Sequence, residues 1–227
     1  MMSVVVPCYN EERNIPILAQ RFKTALRGID AELILVNNGS TDNSQRVLDS
    51  IAKKYGFVRC AVVKRNVGYG HGIQAGLKAA RGSVLAFTHA DLQCDPADVV
   101  KAYRIFEEST GRILVKGNRK GRSSLLTTGF HIAAALLFLR RFDDINGQPK
   151  VFHKNLLQTF RKPPHGFQFD FYVQYKALKN GYKVVSFPVQ FGARKHGESK
   201  WATSLASRIR NIMSFFRYML RLRILGE

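Results

Sequence analysis

Acidic residues are scarce in this chain: 16 Asp and Glu stand against 36 Lys and Arg in 227 residues, a formal net charge of +20. A field of that sign favours phosphate-bearing partners such as nucleotides, nucleic acid or anionic lipid headgroups. Cysteine is scarce too. Cys8, Cys60 and Cys94 form neither a CxxC pair nor a His/Cys cluster at metal spacing, which leaves incidental or buried thiols in a reducing compartment. No apolar run approaches the roughly 20 residues needed to cross a bilayer; the longest, 132–139, stops at Arg140 and Arg141. No charged leader precedes the first apolar strand, so no signal peptide is expected. The expected location is the cytoplasm, peripherally on the cytoplasmic face of the membrane. Internal repeats, low-complexity tracts and linkers are absent. With 45% hydrophobic residues there is ample material for a core, and the length suits one large domain or a domain with a tail.

Strand and helix patterns alternate through the first half. Residues 3–7 (SVVVP), 32–36 (ELILV), 57–63 and 84–87 read as short, fully buried strands. Helical spacing occupies 14–26, the segment after 42 to about 55, 69–80 and 96–108, with Ser40, Thr41 or Asp42 as candidate caps for the second helix. This alternation predicts an α/β fold with a parallel, doubly wound sheet. In such sheets ligands bind outside the carboxyl ends of the strands. Three polar clusters fall there: 7–11, 37–42 and 89–93. The second half reads as strands at 113–118, 151–152 and 183–189, helices at 125–139 and 169–179, a basic loop at 193–201, and a long helix at 204–225.

The clusters carry a more specific pattern. VVVPCYNEERNI (4–15), LILVNNGSTDNS (33–44) and RNVGYGHGIQAGLKAARGSVLAFTHADLQCDP (65–96) resemble, in order, the nucleotide-sugar-binding half of inverting family 2 glycosyltransferases. The chain is most similar to polyprenyl-phosphate sugar transferases of the dolichol-phosphate mannosyltransferase type. The resemblance continues through DINGQPKVF (144–152), GFQFDFYVQYKALKNGYKVVSFPV (166–189) and RKHGESKW (194–201). It implies a GT-A, Rossmann-like, mostly parallel sheet flanked by helices. It divides the chain into a catalytic domain at 1–203, with a donor half at 1–96 and an acceptor half at 97–203, and a basic amphipathic helix at 204–227.

The same resemblance implies the residue roles. Pro7, Tyr9 and Glu11 would cradle base and ribose. Asn38 would meet the base where the family carries the second of two acids, since Asn37 and Asn38 stand in place of both. Arg65, Asn66 and Ala90 would face the donor, and Gly68, Gly70 and Gly72 would let the backbone approach it. His89, Asp91 and Gln93 occupy the family's DxDxQ positions, with His89 in place of the first Asp. Asp91 and Gln93 supply oxygen to Mn²⁺ or Mg²⁺, while His89 is either a ligand better suited to Mn²⁺ or a satisfied histidine at a strand end. Metal binding is then either retained but weaker, or partly replaced by cationic side chains. Arg194 and Lys200 match a loop over the donor phosphates, with Ser199 beside the acceptor. Arg119, Lys120, Arg122 and Lys150 would position the acceptor phosphate. Asp91, Asp144 and Asp170 are the catalytic candidates.

An acceptor that is already a phosphate anion needs positioning more than a general base. A hydroxyl acceptor in a polysaccharide or glycolipid would instead recruit Asp144 or Asp170 as base. A catalytically weak nucleotide-sugar-binding subunit is a third reading, set against by Asp91, Gln93, Arg194 and Lys200. Nucleic-acid binding rests on charge alone, without a stacking motif or known module, and is not expected. In the final helix Leu205, Ile209, Ile212, Met213, Phe216 and Leu220 recur at helical spacing, with Arg210, Arg217 and Arg221 on another face. That helix suits an anionic membrane surface or packing on the domain with its arginines in water.

Overall fold

A computed structural model describes residues 1–119, 125–192 and 205–225, with side chains described outside 125–131 and 205–209. Seven strands form one sheet: β1 (Met2–Cys8), β2 (Ala31–Asn38), β3 (Val58–Val63), β4 (Val84–Phe87), β5 (Ile113–Arg119), β6 (Lys150–His153) and β7 (Lys183–Val189). Their spatial order is β3-β2-β1-β4-β6-β5-β7. Adjacent pairs among β1–β4 are parallel, and so are β5 and β7; β6 is antiparallel to both β4 and β5. The sheet is mostly parallel, as expected, and β6 is its single reversed strand. Reversing β6 aligns β5 and β7 with β4, so six strands point their carboxyl ends to one edge. The start of β6 lies on that edge too, since Lys150 is in register with Phe87 and with Lys116.

Successive side chains of a strand face opposite ways, and the two sets close two cores. Val4, Val6, Leu33 and Leu35 pack under α1 (Ile15–Ala25), α2 (Ser44–Lys54) and α4 (Pro96–Glu107). Val5, Ile34, Val36 and Phe87 pack under α3 (Tyr69–Ala79), α6 (Phe169–Lys179) and a 3-10 turn at Lys154–Thr159 that the sequence pattern did not show. Gly76 sits where α3 crosses the sheet. A Cβ there would run into Val5 and Val36, which is why a residue with poor helix propensity stands mid-helix. The β1 and β2 runs are apolar on both faces because helices cover both.

A third core joins α5 (Leu125–Phe138), α6 and α7 (Leu205–Leu225). Phe215, Met219 and Leu222 of α7 are buried there against Phe142, Phe171 and Tyr172, each worth roughly 1.5–3 kcal/mol of burial. The stripe read from the sequence is a different one: Met213, Phe216 and Leu220 remain exposed, and so do Arg210, Arg217 and Arg221. α7 thus both packs on the domain and presents apolar and cationic groups outward. No helix among the described residues is long and apolar enough to cross a membrane.

Candidate active site

The shared edge gathers the loops that follow β1, β2, β3, β4 and β5, the loop that enters β6, and the start of α6. After β1, Pro7, Tyr9 and Glu11 are half-buried. Asn10 takes a left-handed φ of 56° and ties this loop to the next: its backbone N–H donates to Ser40 Oγ at 3.1 Å, and its side-chain oxygen accepts from the Thr41 N–H at 2.8 Å. Ser40 and Thr41 are therefore cross-links between loops, and the expected capping role moves to Asp42, whose Oδ1 accepts from the Ser44 N–H at 2.9 Å.

The two asparagines after β2 differ. Asn37 is used up in the turn, donating to Gln45 Oε1 at 2.7 Å and accepting from the Ser40 N–H at 2.9 Å. Asn38 donates Nδ2 to the Gly68 carbonyl at 3.0 Å, and its buried Oδ1 has no partner among the described residues. Gly72 makes room for that amide: a Cβ there would stand 2.8 Å from Asn38 Cγ. A buried amide oxygen without a donor is costly, on the order of 1–3 kcal/mol. Arg65 and Asn66 are exposed beyond β3, and Asn66 Oδ1 accepts from the Gly68 N–H at 2.9 Å.

After β4, Ala90 and Asp91 are buried and His89 is half-buried. Asp91 Oδ1 accepts from the Gln93 N–H at 3.2 Å, around a Leu92 held at φ 62°. Left-handed backbone at a non-glycine residue costs of order 1–3 kcal/mol and concentrates at functional sites. Gln93 donates Nε2 to the Gly192 carbonyl at 2.9 Å, which leaves its oxygen as the accepting end, and the Gly192 N–H returns a bond to the Gln93 carbonyl. His89 stacks on Tyr69 at 5.3 Å, and Tyr69 stacks in turn on Phe167 at 5.4 Å. Burial is the largest influence on the imidazole and holds its pKa below the usual value, against the pull of Asp91 and Asp170.

A divalent cation would find one carboxylate here, Asp91, with the Gln93 amide oxygen beside it. No group of three or more His, Cys, Asp and Glu that could hold a metal occurs among the described residues. That set fits a hard ion which takes one or two protein oxygens and draws its remaining ligands from substrate phosphates and water.

The other half of the edge carries three cations, each beside a carboxylate. Arg119 donates Nη2 to Asp144 Oδ1 at 2.5 Å and its backbone N–H to Oδ2 at 2.8 Å. Lys116, fully buried, donates to the Asp144 carbonyl at 3.1 Å, and burial pushes its ammonium down to about 8 despite Asp143 at 3.7 Å. Lys150, also fully buried, is ion-paired with Asp170, which accepts from Gln148 Nε2 at 2.7 Å. Lys116, Tyr69 and Gln148 were not singled out from the sequence. The lysine within the apolar run ILVKGN was the available signal, since an inward-facing charge in a buried strand demands a partner. Lys120, Arg122, Arg194, Ser199 and Lys200 lie outside the described residues.

Burial raises the Asp144 carboxyl, but the hydrogen bonds and charge of Arg119, with help from Lys116, outweigh it and hold the group below the ordinary carboxylate range. Its proton is therefore bound less readily in the fold than in the unfolded chain. The stability it contributes is full above the unfolded value and is lost as pH falls through the lowered one. Asp144→Asn is expected to lower Tm by about 5 °C at neutral pH, a gap that narrows as Tm is followed into acid. A gap constant with pH would mean that the pair contributes no linked stability.

The chain is 28% identical over 209 residues to undecaprenyl-phosphate 4-deoxy-4-formamido-L-arabinose transferase of Enterobacter sp. (strain 638), covering 88% of this chain and 62% of the relative. It is 28% identical over 210 residues to dolichol-phosphate mannosyltransferase of Pyrococcus furiosus, covering 88% and 58%. The chain thus spans about three fifths of those relatives. Among solved structures, glucosyl-3-phosphoglycerate synthase from Mycobacterium tuberculosis, in complex with Mn²⁺, UDP and glucosyl-3-phosphoglycerate, superposes with TM-score 0.76 at 18% identity, over 98% of this chain and 79% of that one. The same enzyme with Mg²⁺ and UDP also gives 0.76, at 18% identity over 96% and 79%. The fold is therefore GT-A. The glycosyl transferase family 2 model matches residues 3–159, and the chain belongs to that family.

Proposed function

We propose that this protein transfers a sugar, with inversion, from a nucleotide-sugar donor to a polyprenyl-phosphate-type lipid acceptor, with Mn²⁺ or Mg²⁺ assisting. The observation that carries this reading is the division of one sheet edge. Asp91 and the unpartnered Asn38 oxygen lie on the β1–β4 side, and Arg119, Lys116 and Lys150 lie on the β5–β6 side. Two relatives named for polyprenyl-phosphate substrates support it. The catalytic domain is 1–203, donor half first, with 204–227 as an appended helix.

On this reading Tyr9, Glu11, Asn38, Arg65 and Asn66 hold the nucleoside end, and Asn38 Oδ1 accepts an N–H from the base. Asp91 and Gln93 hold the cation, which offsets charge on the departing diphosphate; Arg194 and Lys200 close over the same phosphates. Arg119, Arg122 and Ser199 position the acceptor phosphate, whose oxygen attacks the anomeric carbon on the face opposite the leaving group. The state of Asp144 favours this acceptor over a hydroxyl. A carboxylate held below its usual range by Arg119 is a poor general base, and a phosphate anion requires none. Asp144 then serves to fix the Arg119 guanidinium. A lipid acceptor and the chain's positive charge support a peripheral location on the cytoplasmic face of an anionic membrane.

The test is a panel of UDP-, GDP- and dTDP-sugars with a polyprenyl phosphate and Mn²⁺ or Mg²⁺, scored for lipid-linked sugar. One donor is expected to give product. Nucleotide binding without transfer from any donor would overturn the proposal in favour of a binding subunit, and product only with a hydroxyl acceptor would move the base role to Asp144 or Asp170.

A further inference from the structure

A pocket away from the sheet edge lies where the ends of α5, α6 and α7 meet, with a volume of about 280 Å³. Its walls are Phe138, Phe142 and Tyr175, and Arg140, Lys179 and Arg223 stand around it. Asp170 lies in the first turn of α6 on the catalytic side and Lys179 ends that helix, so the two lie about 13 Å apart along its axis. The pocket is therefore separate from the transfer site.

Its charge is one-sided. α5 and α7 contain no acidic residue, and α6 contains only Asp170, which is paired with Lys150. Asp143, next to Phe142, turns away to accept from Ser186 Oγ at 2.9 Å and lies near Lys116. No ion pair involves Arg140 or Arg223 among the described residues. Arg223 is fixed through Nε, which donates to the Leu137 carbonyl at 3.0 Å. Two helix C-termini contribute roughly half a negative charge each, too little to offset Arg140 and Arg223. Beside these cations stand apolar neighbours that face water: Leu136 is 72% exposed, Leu139 83% and Ile224 78%. Leu139 adjoins Arg140 in sequence, and Ile224 adjoins Arg223.

We propose that this pocket binds the headgroup phosphate of an anionic phospholipid, with Leu136, Leu139 and Ile224 entering the membrane around it. The cations take the phosphate, the aromatic walls take the glycerol and first methylenes, and the exposed side chains supply the apolar contact that a free phosphate would not need. The proposal rests on the membrane-surface reading above and says where that contact lies. It makes the headgroup a second lipid site, distinct from the acceptor.

The full-length chain is tested by co-sedimentation with phosphatidylcholine vesicles with and without phosphatidylglycerol. Binding is expected only with phosphatidylglycerol, and Arg140→Gln/Arg223→Gln is expected to weaken it about 30-fold. Arg140→Gln/Lys179→Gln, which keeps the Arg223 bond to α5, is expected to weaken it similarly with Tm unchanged. Arg27→Gln/Lys53→Gln removes equal charge from the opposite sheet face and should change binding little. Indifference to phosphatidylglycerol, or an equal loss in that control, overturns the proposal. Competition by millimolar inorganic phosphate as strong as that by lipid would overturn the lipid assignment. Nucleotide binding, read by thermal shift with UDP, is expected to be unchanged in every variant, so failure of the headgroup site is distinguishable from failure of the donor reading.

Discussion

Asp91→Ala is expected to reduce sugar transfer about 10³-fold while shifting Tm by only a few degrees. Asp91 is the one carboxylate of the His89–Gln93 loop, buried at 6% exposure behind the strained Leu92. Asp91 acts through the cation it would hold: a cation against a leaving diphosphate is worth several kcal/mol, and losing a group that stabilises a developing anion costs about 10²–10³ in rate. A direct binding measurement separates the two contributions: Mn²⁺ titration in the presence of the nucleoside diphosphate of the productive donor should weaken with the rate. If Asp91→Ala leaves both the Mn²⁺ affinity and the rate intact, the metal assignment is wrong. His89→Asp is the companion variant. It puts a second carboxylate near the first, so Tm is expected to fall without metal and recover on adding Mn²⁺. In the wild-type loop that position holds a ring stacked on Tyr69, which contributes packing where a carboxylate would contribute charge.

The β1–β4 half of the sheet was legible in the sequence because its determinants are local. β1, β2 and β4 are short β-branched runs bounded by polar residues, and parallel pairing carries whatever follows each run to one edge. The reversed β6 was not legible, since a four-residue strand leaves no periodicity by which to read direction and only its register with Phe87 and Lys116 fixes it. The inequality of Asn37 and Asn38 was likewise hidden. Adjacent identical amides became a closed turn and an open acceptor through contacts from Gly68 and Gly72, some thirty residues on. α7 carried too many apolar residues for one stripe to stand out. Its buried face, Phe215, Met219 and Leu222, was selected by the aromatic surface of α5 and α6 rather than by its own pattern. Single charges were the hardest to place: Lys150 reads equally well as a phosphate ligand or as half of a buried pair.

That ambiguity gives the second large effect. Lys150 is fully buried against Asp170, with the Gly147 carbonyl accepting a further bond at 3.0 Å. Lys150→Ala leaves a carboxylate buried with Gln148 and the Tyr69 hydroxyl as its remaining partners. Breaking a buried pair from one side costs about 3–5 kcal/mol, or roughly 10 °C in a chain of this size. Replacing both members, as Lys150→Met/Asp170→Leu, removes both charges together and should recover most of that loss, because the attraction was offset by desolvation in the first place. The double variant then separates the two roles. If the pair only holds β6 against α6, activity returns with Tm. If Lys150 also reaches the acceptor phosphate, Tm returns while transfer stays at least about tenfold down through a raised acceptor KM, since uniform binding lost at the acceptor appears in KM before kcat. Recovery of Tm with transfer lost through kcat rather than KM would place Asp170 itself in the chemistry, and the nucleotide affinity of the double variant, expected to match that of the unaltered chain, checks that the donor half remains folded.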